Sequence, residues 1–196
     1  MSAALRVRKP GLLTTVQDLG RPNAMSAGVP TGGVMDRFAH RAANLLVGND
    51  EAAATLECTV RGPELIALRP CLVAITGADL DPHVNREPVA MWTGLFMNEG
   101  DELTFAGRRW GARAYIAVEG GIAGDRWLGS SSTYLLVERG GMHGRALIGG
   151  DEIVATAPSK SRHALGALGQ QLRPDYGNHT LPVIAGPHLQ RLAADT

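Results

Sequence analysis

The chain has 196 residues, 44% of them hydrophobic, which is enough to form the core of one domain of ordinary size. Its 19 Lys and Arg residues balance 19 Asp and Glu residues, and a formal net charge of zero disfavours a general nucleic-acid-binding or anionic-membrane-binding surface. The sequence begins without the hydrophobic core of a signal peptide, and no apolar run approaches the ~20 residues that cross a bilayer. We therefore expect a cytoplasmic protein that does not contact membranes.

Short runs of strand-forming residues separated by turn residues predict a mainly β chain. The predicted strands are residues 12–16, 55–60, 64–68, 72–76, 102–105, 113–118, 133–137 and 152–156. In the second run, apolar Leu56 and Cys58 alternate with polar Thr55 and Glu57, which indicates a strand with one buried face. Residues 72–75 are continuously apolar and predict a strand that is buried on both faces.

One short amphipathic helix is predicted near residues 36–47. Asp36 can cap it by accepting hydrogen bonds from the free amides of the first turn, and Gly48 and Asn49 suit its carboxyl end. Its buried face is predicted from the apolar residues at helical spacing, which are Phe38, Ala42, Leu45 and Leu46. Many strands with a single helix predict a β-barrel that carries a helical plug or lid.

The composition changes after Ala157, and this change predicts three segments. Residues 1–157 would form the β-rich domain. Residues 158–180 are polar or rich in glycine and predict a linker or mobile segment. Residues 181–196 begin with a strand-like run and would start a truncated second half.

Polar side chains around Gly20 form the first candidate site. In one interpretation they build a turn, in which Asp18 caps the backbone, Gly20 adopts a positive φ and Arg21 pairs with a carboxylate. In the other, Gln17 and Arg21 face an anionic or amide-bearing ligand, because a guanidinium donates two parallel hydrogen bonds to such groups. The residues alone leave both interpretations open.

Two carboxylates and one loop are further candidates. Asp36 is a helix cap or an acid–base group, and Glu57 is either solvated or an acid or base at the mouth of the barrel. The loop after Gly129 could bind an oxyanion through its backbone amides. Its hydroxyl-bearing members are Ser130, Ser132 and Thr133.

Several other residues have a simpler interpretation. Cys58 and Cys71 lie in apolar runs and are expected to be buried free thiols. Arg145 is either a second anion clamp or a structural ion pair, and Asn44 and Asn49 are expected to close loops with their amides. The six histidines have no close metal-ligand spacing, so we expect them on the surface and predict no metal site.

Taken in order, the motifs of residues 5–155 resemble one family. They are residues 9–21, 28–30, 35–36, 43–49, 56–57, 76–78, 111–115, 120–122, 128–130, 140–141 and 144–145. The family is that of the C-type subunit of 5-oxoprolinase, also called the biotin-dependent carboxyltransferase subunit, allophanate hydrolase subunit 2 or KipA. Ser131 departs from the family pattern, which usually has arginine in this loop.

This resemblance implies a cyclophilin-like β-barrel and an enzyme that works as a complex. The partners would be two further subunits, a KipI-like one of type B and a third one of type A, and the complex would use ATP to hydrolyse 5-oxo-L-proline to L-glutamate. One alternative is the transfer of a carboxyl group from carboxybiotin, not attached to this chain, to urea or a similar amide. Another is a non-catalytic regulatory module that binds a KipI-like inhibitor.

For the enzyme, the candidate residues described above would form the site. Asp36 and Glu57 would be the catalytic residues. The substrate-binding residues would be Gln17, Asp18, Arg21, Ser130, Ser132, Thr133 and Arg145.

Overall fold

In the computed structural model, the described residues are 2–156, 166–178, 180 and 182–191. Within these ranges the strands are β1 (Ser2–Lys9), β2 (Leu13–Gln17), β3 (Thr55–Thr59), β4 (Glu64–Ala67), β5 (Cys71–Asp79), β6 (Pro82–Val84), β7 (Glu87–Pro88), β8 (Gly94–Met97), β9 (Glu102–Phe105), β10 (Trp110–Val118) and β11 (Glu152–Ala155). The α-helix is α1 (Arg37–Leu46), and short 3-10 helices cover Pro22–Ala27, Leu135–Val137, Gln170–Leu172 and Leu189–Arg191.

The strands form two antiparallel sheets. One has the order β11-β1-β4-β9-β6-β7, and the other has the order β2-β3-β10-β5-β8. The main hydrophobic core lies between them, and residues such as Leu5, Leu103 and Ile116 are fully buried there. The prediction of a mainly β fold with one helix is confirmed, and the arrangement is compatible with a cyclophilin-like fold. The strands nevertheless form two sheets, each with two edge strands, and not one closed barrel.

The five-stranded sheet is covered on both faces. Leu56 and Cys58 of β3 point into the core between the sheets, while Thr55 and Glu57 point toward the side on which α1 lies. At the centre of the same sheet, β5 is buried along nearly its whole length, because the core covers one face and α1 the other. The prediction for residues 72–75 is therefore confirmed.

Helix α1 is capped as the sequence predicts. The Asp36 side chain accepts a hydrogen bond from Ala39 N at 2.9 Å, and Gly48 ends the helix with a φ of +72°. The predicted buried face is partly wrong, since Phe38 and Leu45 are 42% and 60% exposed. The helix buries its small side chains instead, because these allow its backbone to approach the sheet closely. They are Ala39, Ala42 and Ala43, and the polar His40 and Asn44 are buried with them.

The strand predicted at residues 133–137 is wrong. Leu135–Val137 form a 3-10 turn, and Leu136 is 85% exposed. The backbone of Tyr134 pairs with that of Arg139, so the chain reverses within a few residues, with a left-handed Glu138 at a φ of +52°. A strand needs a neighbour along its length, and this tight loop provides none.

Residues 166–168 lie against the domain. Gly94 N donates to Gly166 O and Leu168 N donates to Trp92 O, both at 2.9 Å. The predicted division at 157, 180 and 181 stays a prediction. Residues 157–165, 179, 181 and 192–196, which carry parts of the predicted linker and second half, lie outside the described residues. Among the helices that are described, none combines the length and apolar character that crossing a membrane requires.

Both cysteines are free and buried, as predicted. Burial raises the pKa of the Cys58 thiol to about 12 and that of the Cys71 thiol to about 11. We therefore expect both thiols of the folded chain to react with a thiol-specific disulfide reagent at pH 8 on the order of a hundredfold more slowly than after unfolding in guanidinium chloride. The absorbance of the coloured thiolate that the reagent releases measures the rate of this reaction. A native rate equal to the unfolded rate would contradict the buried positions.

Candidate functional site

Two loops meet beside the end of β2. We call the residues that join them the Asp18 cluster, which consists of Gln17, Asp18, Arg21, Ser130, Ser132 and Thr133. The backbone N and the Oγ1 of Thr133 both donate to Val16 O, at 3.0 and 2.9 Å. These bonds connect residues more than a hundred positions apart and hold the 128–133 loop against the 17–21 loop.

The Asp18 carboxylate is the centre of this cluster. Its Oδ1 accepts hydrogen bonds from Gly20 N at 2.8 Å, Ser130 Oγ at 2.6 Å and Ser132 Oγ at 2.7 Å. Its Oδ2 accepts one from Ser131 N at 2.6 Å. Burial alone would raise the pKa of Asp18, but the hydrogen bonds from Ser130 and Ser132 outweigh it and hold this pKa below its ordinary value. The glycine–serine loop thus does bind an anion, and that anion is the chain's own carboxylate.

Arg21 and Gln17 are buried beside this carboxylate. Arg21 is 2% exposed. Its guanidinium donates to Ser132 O and lies 5.1 and 5.8 Å from the ring centroids of Trp127 and Tyr134. Arg21 therefore contacts a carbonyl and two aromatic faces, and among the described residues no carboxylate forms the ion pair that the turn interpretation predicts. Gln17 Nε2 donates to Thr15 Oγ1 at 3.0 Å. Among the described residues, Gln17 Oε1 and Arg21 Nε have no hydrogen-bond partner.

A second group lies on the α1 side of the five-stranded sheet, and we call it the tyrosine–carboxylate chain. It consists of Glu57, Tyr115, Asp36 and Tyr176. Tyr115 OH donates to Glu57 Oε2 at 2.8 Å and accepts from Asp36 N at 2.7 Å. Asp36 Oδ2 accepts from Tyr176 OH at 2.6 Å. Four separate parts of the sequence thus meet in one continuous series of hydrogen bonds.

Both tyrosines act as donors in this chain. Burial, together with the neighbouring charge of Glu57, raises the pKa of Tyr115 far above its ordinary value. Burial and the hydrogen bond to Asp36 raise the pKa of Tyr176 in the same way. Each phenol therefore keeps its proton at neutral pH and presents it to a carboxylate.

The two groups are neighbours. Thr15 of β2 lies opposite Glu57 of β3, which lies opposite Tyr115 of β10. Val34 N donates to Asp18 O at 3.0 Å, so the segment that leads into Asp36 runs beside the 17–21 loop. The structure therefore brings the predicted residues of both groups to one region of the molecule.

Arg145 is the exception among the predicted site residues. Its Nη1 and Nη2 donate to the two carboxylate oxygens of Asp151 at 2.7 and 2.8 Å. The hydrogen bonds raise the pKa of Arg145 and lower that of Asp151. Of the two interpretations, the structural ion pair is confirmed, and it closes the turn between the 140–145 loop and β11.

Four residues of this region were not predicted from the sequence. Tyr115 had a usable signal, because strand alternation places it on the polar side of β10, opposite Glu57. Tyr176 lay in the predicted linker, Trp127 lay in a loop, and Tyr134 lay in the strand wrongly predicted at residues 133–137, so none of these three had a signal.

His40 was expected on the surface, which is wrong. It is fully buried beside Thr55, with 2.9 Å between His40 Nδ1 and Thr55 Oγ1, and burial lowers its pKa to about 4.

Asn44 and Asn49 close loops as predicted, since Asn44 Nδ2 donates to Ala53 O and Asn49 Nδ2 to Val118 O. Within the ranges that the structure describes, no group of three or more His, Cys, Asp or Glu residues is arranged to hold a metal ion.

Comparison with known proteins identifies the family. A family model described as "Carboxyltransferase domain, subdomain A and B" matches residues 27–196. The chain is 35% identical over 196 residues to the urea amidolyase of Lachancea kluyveri, covering 94% of this chain and 11% of that protein. It is 40% identical over 151 residues to the C-type subunit of the Escherichia coli K12 5-oxoprolinase, covering 76% and 48%. The crystal structure of the Kluyveromyces lactis urea carboxylase matches with a TM-score of 0.77 at 35% identity, covering 84% of this chain and 15% of that one.

The relatives named in these comparisons are enzymes or parts of enzymes, and all are longer. The chain spans about half the length of the Escherichia coli protein and a small part of the urea amidolyase. The family match nevertheless covers most of the chain, from the end of the Pro22–Ala27 3-10 helix onward. This chain belongs to the family of carboxyltransferase domains, subdomains A and B.

Proposed function

We propose that this chain is the C-type subunit of a 5-oxoprolinase, which uses ATP to hydrolyse 5-oxo-L-proline to L-glutamate. A KipI-like subunit of type B would be its direct partner, and a third one, of type A, would complete the complex. The 40% identity to the C-type subunit of a 5-oxoprolinase supports this choice. The observation that carries it is the tyrosine–carboxylate chain, because it combines proton donors and carboxylates beside one another.

Opening a lactam requires a base for the attacking water and a donor for the carbonyl oxygen. Glu57 Oε2 already accepts from Tyr115 OH and Met35 N, whereas Glu57 Oε1 lies 3.7 Å from Arg113 Nε. In our proposal Glu57 Oε1 takes the proton from water. The Tyr115 phenol, whose one proton is donated to Glu57 Oε2, holds this carboxylate in place, and the Arg113 guanidinium beside Glu57 Oε1 stabilises the negative charge of the tetrahedral intermediate. The proton taken up by Glu57 then passes to the lactam nitrogen as the C–N bond breaks.

The 128–133 loop does not fit a triphosphate. The backbone amides of the 128–133 loop were the candidates for binding an oxyanion, but Ser131 N donates to Asp18 and Ser132 N donates to Ser130 Oγ. Their donors are thus occupied by the protein itself. We therefore derive no step through ATP or carboxybiotin on this chain, and in our proposal another subunit holds the nucleotide.

Glu57→Gln is expected to lower kcat on the order of a hundredfold, because the amide cannot accept the proton. The measurement is 5-oxoproline-dependent ATP hydrolysis after co-expression with the B-type and A-type partners. Glu119→Gln is the matched control, since Glu119 also forms a partly exposed ion pair, 3.6 Å from Arg69. Equal rates for the two variants would remove Glu57 from the reaction, and absence of activity with any combination of the partners would reject the hydrolase.

Transfer of a carboxyl group from carboxybiotin to urea or a similar amide is the second candidate. The description of the matching family and the structural match to a urea carboxylase favour it. Carboxylation of urea by the same complex, without 5-oxoproline hydrolysis, would select this function. Binding of the KipI-like partner with neither activity would instead support a regulatory module, for which Ser131 in place of the usual arginine is the supporting feature.

A further inference from the structure

We propose that a cavity separate from the Asp18 cluster binds a small organic carboxylate with a flat, largely apolar body. The cavity has a volume of about 810 Å³. Its lining includes the side chains of Trp92, Trp110, Arg173, Asp175 and Tyr176. This inference concerns binding by the chain itself and does not depend on the proposed function.

The cavity is built where residues 166–177 cross the five-stranded sheet. The two backbone hydrogen bonds between residues 92–94 and 166–168 fix the start of this segment. The 3-10 turn at Gln170–Leu172 then brings Arg173 and Tyr176 over the aromatic side chains. The wall of the cavity is therefore held by backbone contacts and does not depend on side chains alone.

Three aromatic rings supply the apolar faces. The Tyr176 ring centroid lies 6.2 Å from that of Trp92 and 5.4 Å from that of Trp110, with interplanar angles of 34° and 36°. Trp110 and Tyr176 are 40% and 39% exposed. Two large aromatic side chains that remain partly exposed beside a cavity are typical of a ligand site, since burying them would stabilise a complex.

Arg173 supplies a fixed positive charge. Its Nε and Nη2 donate to Leu168 O at 3.0 and 2.8 Å, and its guanidinium carbon lies 5.7 Å from the Trp92 ring centroid. Within the part of the chain that the structure describes, no carboxylate oxygen lies within 4.0 Å of this guanidinium. The Nη1 edge can therefore donate to an anion without reorganising the side chain.

The balance of charges selects the class of ligand. The lining offers one guanidinium and also one carboxylate, that of Asp175. A doubly charged phosphate would be repelled by Asp175 and would face only one positive group. A singly charged carboxylate on a flat ring satisfies Arg173 and covers the aromatic faces. Tyr176 also donates to Asp36, so an occupant of this cavity would contact the end of the tyrosine–carboxylate chain.

The three tryptophans of the chain make a direct test possible. In NMR titrations of the purified chain, benzoate and cyclopentanecarboxylate are expected to shift the indole signals of Trp92 and Trp110 and to leave that of Trp127 in place. Arg173→Gln is expected to raise the Kd at least about tenfold, because it removes a charge-assisted hydrogen bond. Arg6→Gln is the control, since Arg6 forms an exposed ion pair with Glu152 away from the cavity.

Three results would overturn the proposal. They are the absence of any shift with the carboxylates, an unchanged Kd in Arg173→Gln, and equal binding of inorganic phosphate or neutral benzamide. If Arg173→Gln disturbs the indole signals of the free chain, Trp110→Leu replaces it, because Trp110 is partly exposed and its loss removes an aromatic face. An unchanged affinity in that variant would also contradict the site.

Discussion

Asp18→Asn is expected to lower the free energy of unfolding at pH 7 by about 3 kcal/mol. The carboxylate accepts four hydrogen bonds, two from hydroxyls and two from backbone amides. An asparagine of the same size has only one oxygen, and its NH₂ group would face donors. Urea unfolding followed by circular dichroism measures the change.

Asp50→Asn is the matched control for this variant. Asp50 is exposed, and its Oδ1 accepts one hydrogen bond, from Ala52 N at 2.8 Å. We expect a change of about 0.5 kcal/mol or less there. If Asp18→Asn were as mild as Asp50→Asn, the 17–21 and 128–133 loops would not be held together by this carboxylate.

The pH dependence has a defined sign. The pKa of Asp18 in the folded chain lies below its ordinary value of 3.8, so the unfolded chain binds the proton more readily. The stabilisation is therefore complete above that ordinary value and is lost as the pH falls through the folded pKa. The difference between the wild-type chain and Asp18→Asn should accordingly shrink at pH values below 3.8. A constant difference would show that the charge of Asp18 is not responsible.

Features that depend on neighbours in sequence were predictable. The Asp36 side chain caps helix α1 by accepting from the backbone amide three residues later, and Gly48 ends that helix by adopting a left-handed backbone. Leu56 and Cys58 face the core because strand side chains alternate. Each of these follows from a local rule that needs no knowledge of the rest of the fold.

Features that depend on distant contacts were not predictable in detail. Asp18 and Ser132 are 114 positions apart, and only the folded chain shows that the serine loop serves this carboxylate. The buried face of α1 was mistaken because hydrophobicity favours Phe38, whereas close approach to the sheet favours Ala39. Tyr176 belongs to a segment without strand or helix periodicity, so only its contact with Asp36 reveals it.

Gly140→Ala is expected to lower the free energy of unfolding by about 3 kcal/mol or more. Gly140 has a φ of +74°, and an added Cβ would lie 2.3 Å from the backbone oxygen of Ser132. Gly129→Ala is the matched control, because Gly129 has a φ of +82° and nothing lies within 4 Å of its added Cβ. Gly129→Ala should therefore lower the free energy of unfolding only by the strain of an alanine in the left-handed conformation, about 1 kcal/mol.

The difference between the two glycine variants therefore measures the cost of moving the Ser132 carbonyl. This carbonyl accepts the hydrogen bond from Arg21, whose guanidinium contacts the ring of Trp127. We expect Gly140→Ala, but not Gly129→Ala, to change the indole signal of Trp127 in the NMR spectrum. Equal free energies of unfolding for the two variants, together with an unchanged Trp127 signal, would mean that the Ser132 carbonyl can move without a loss of stability. In that case Gly140 would not be required for the approach of the 140–145 loop to the Asp18 cluster.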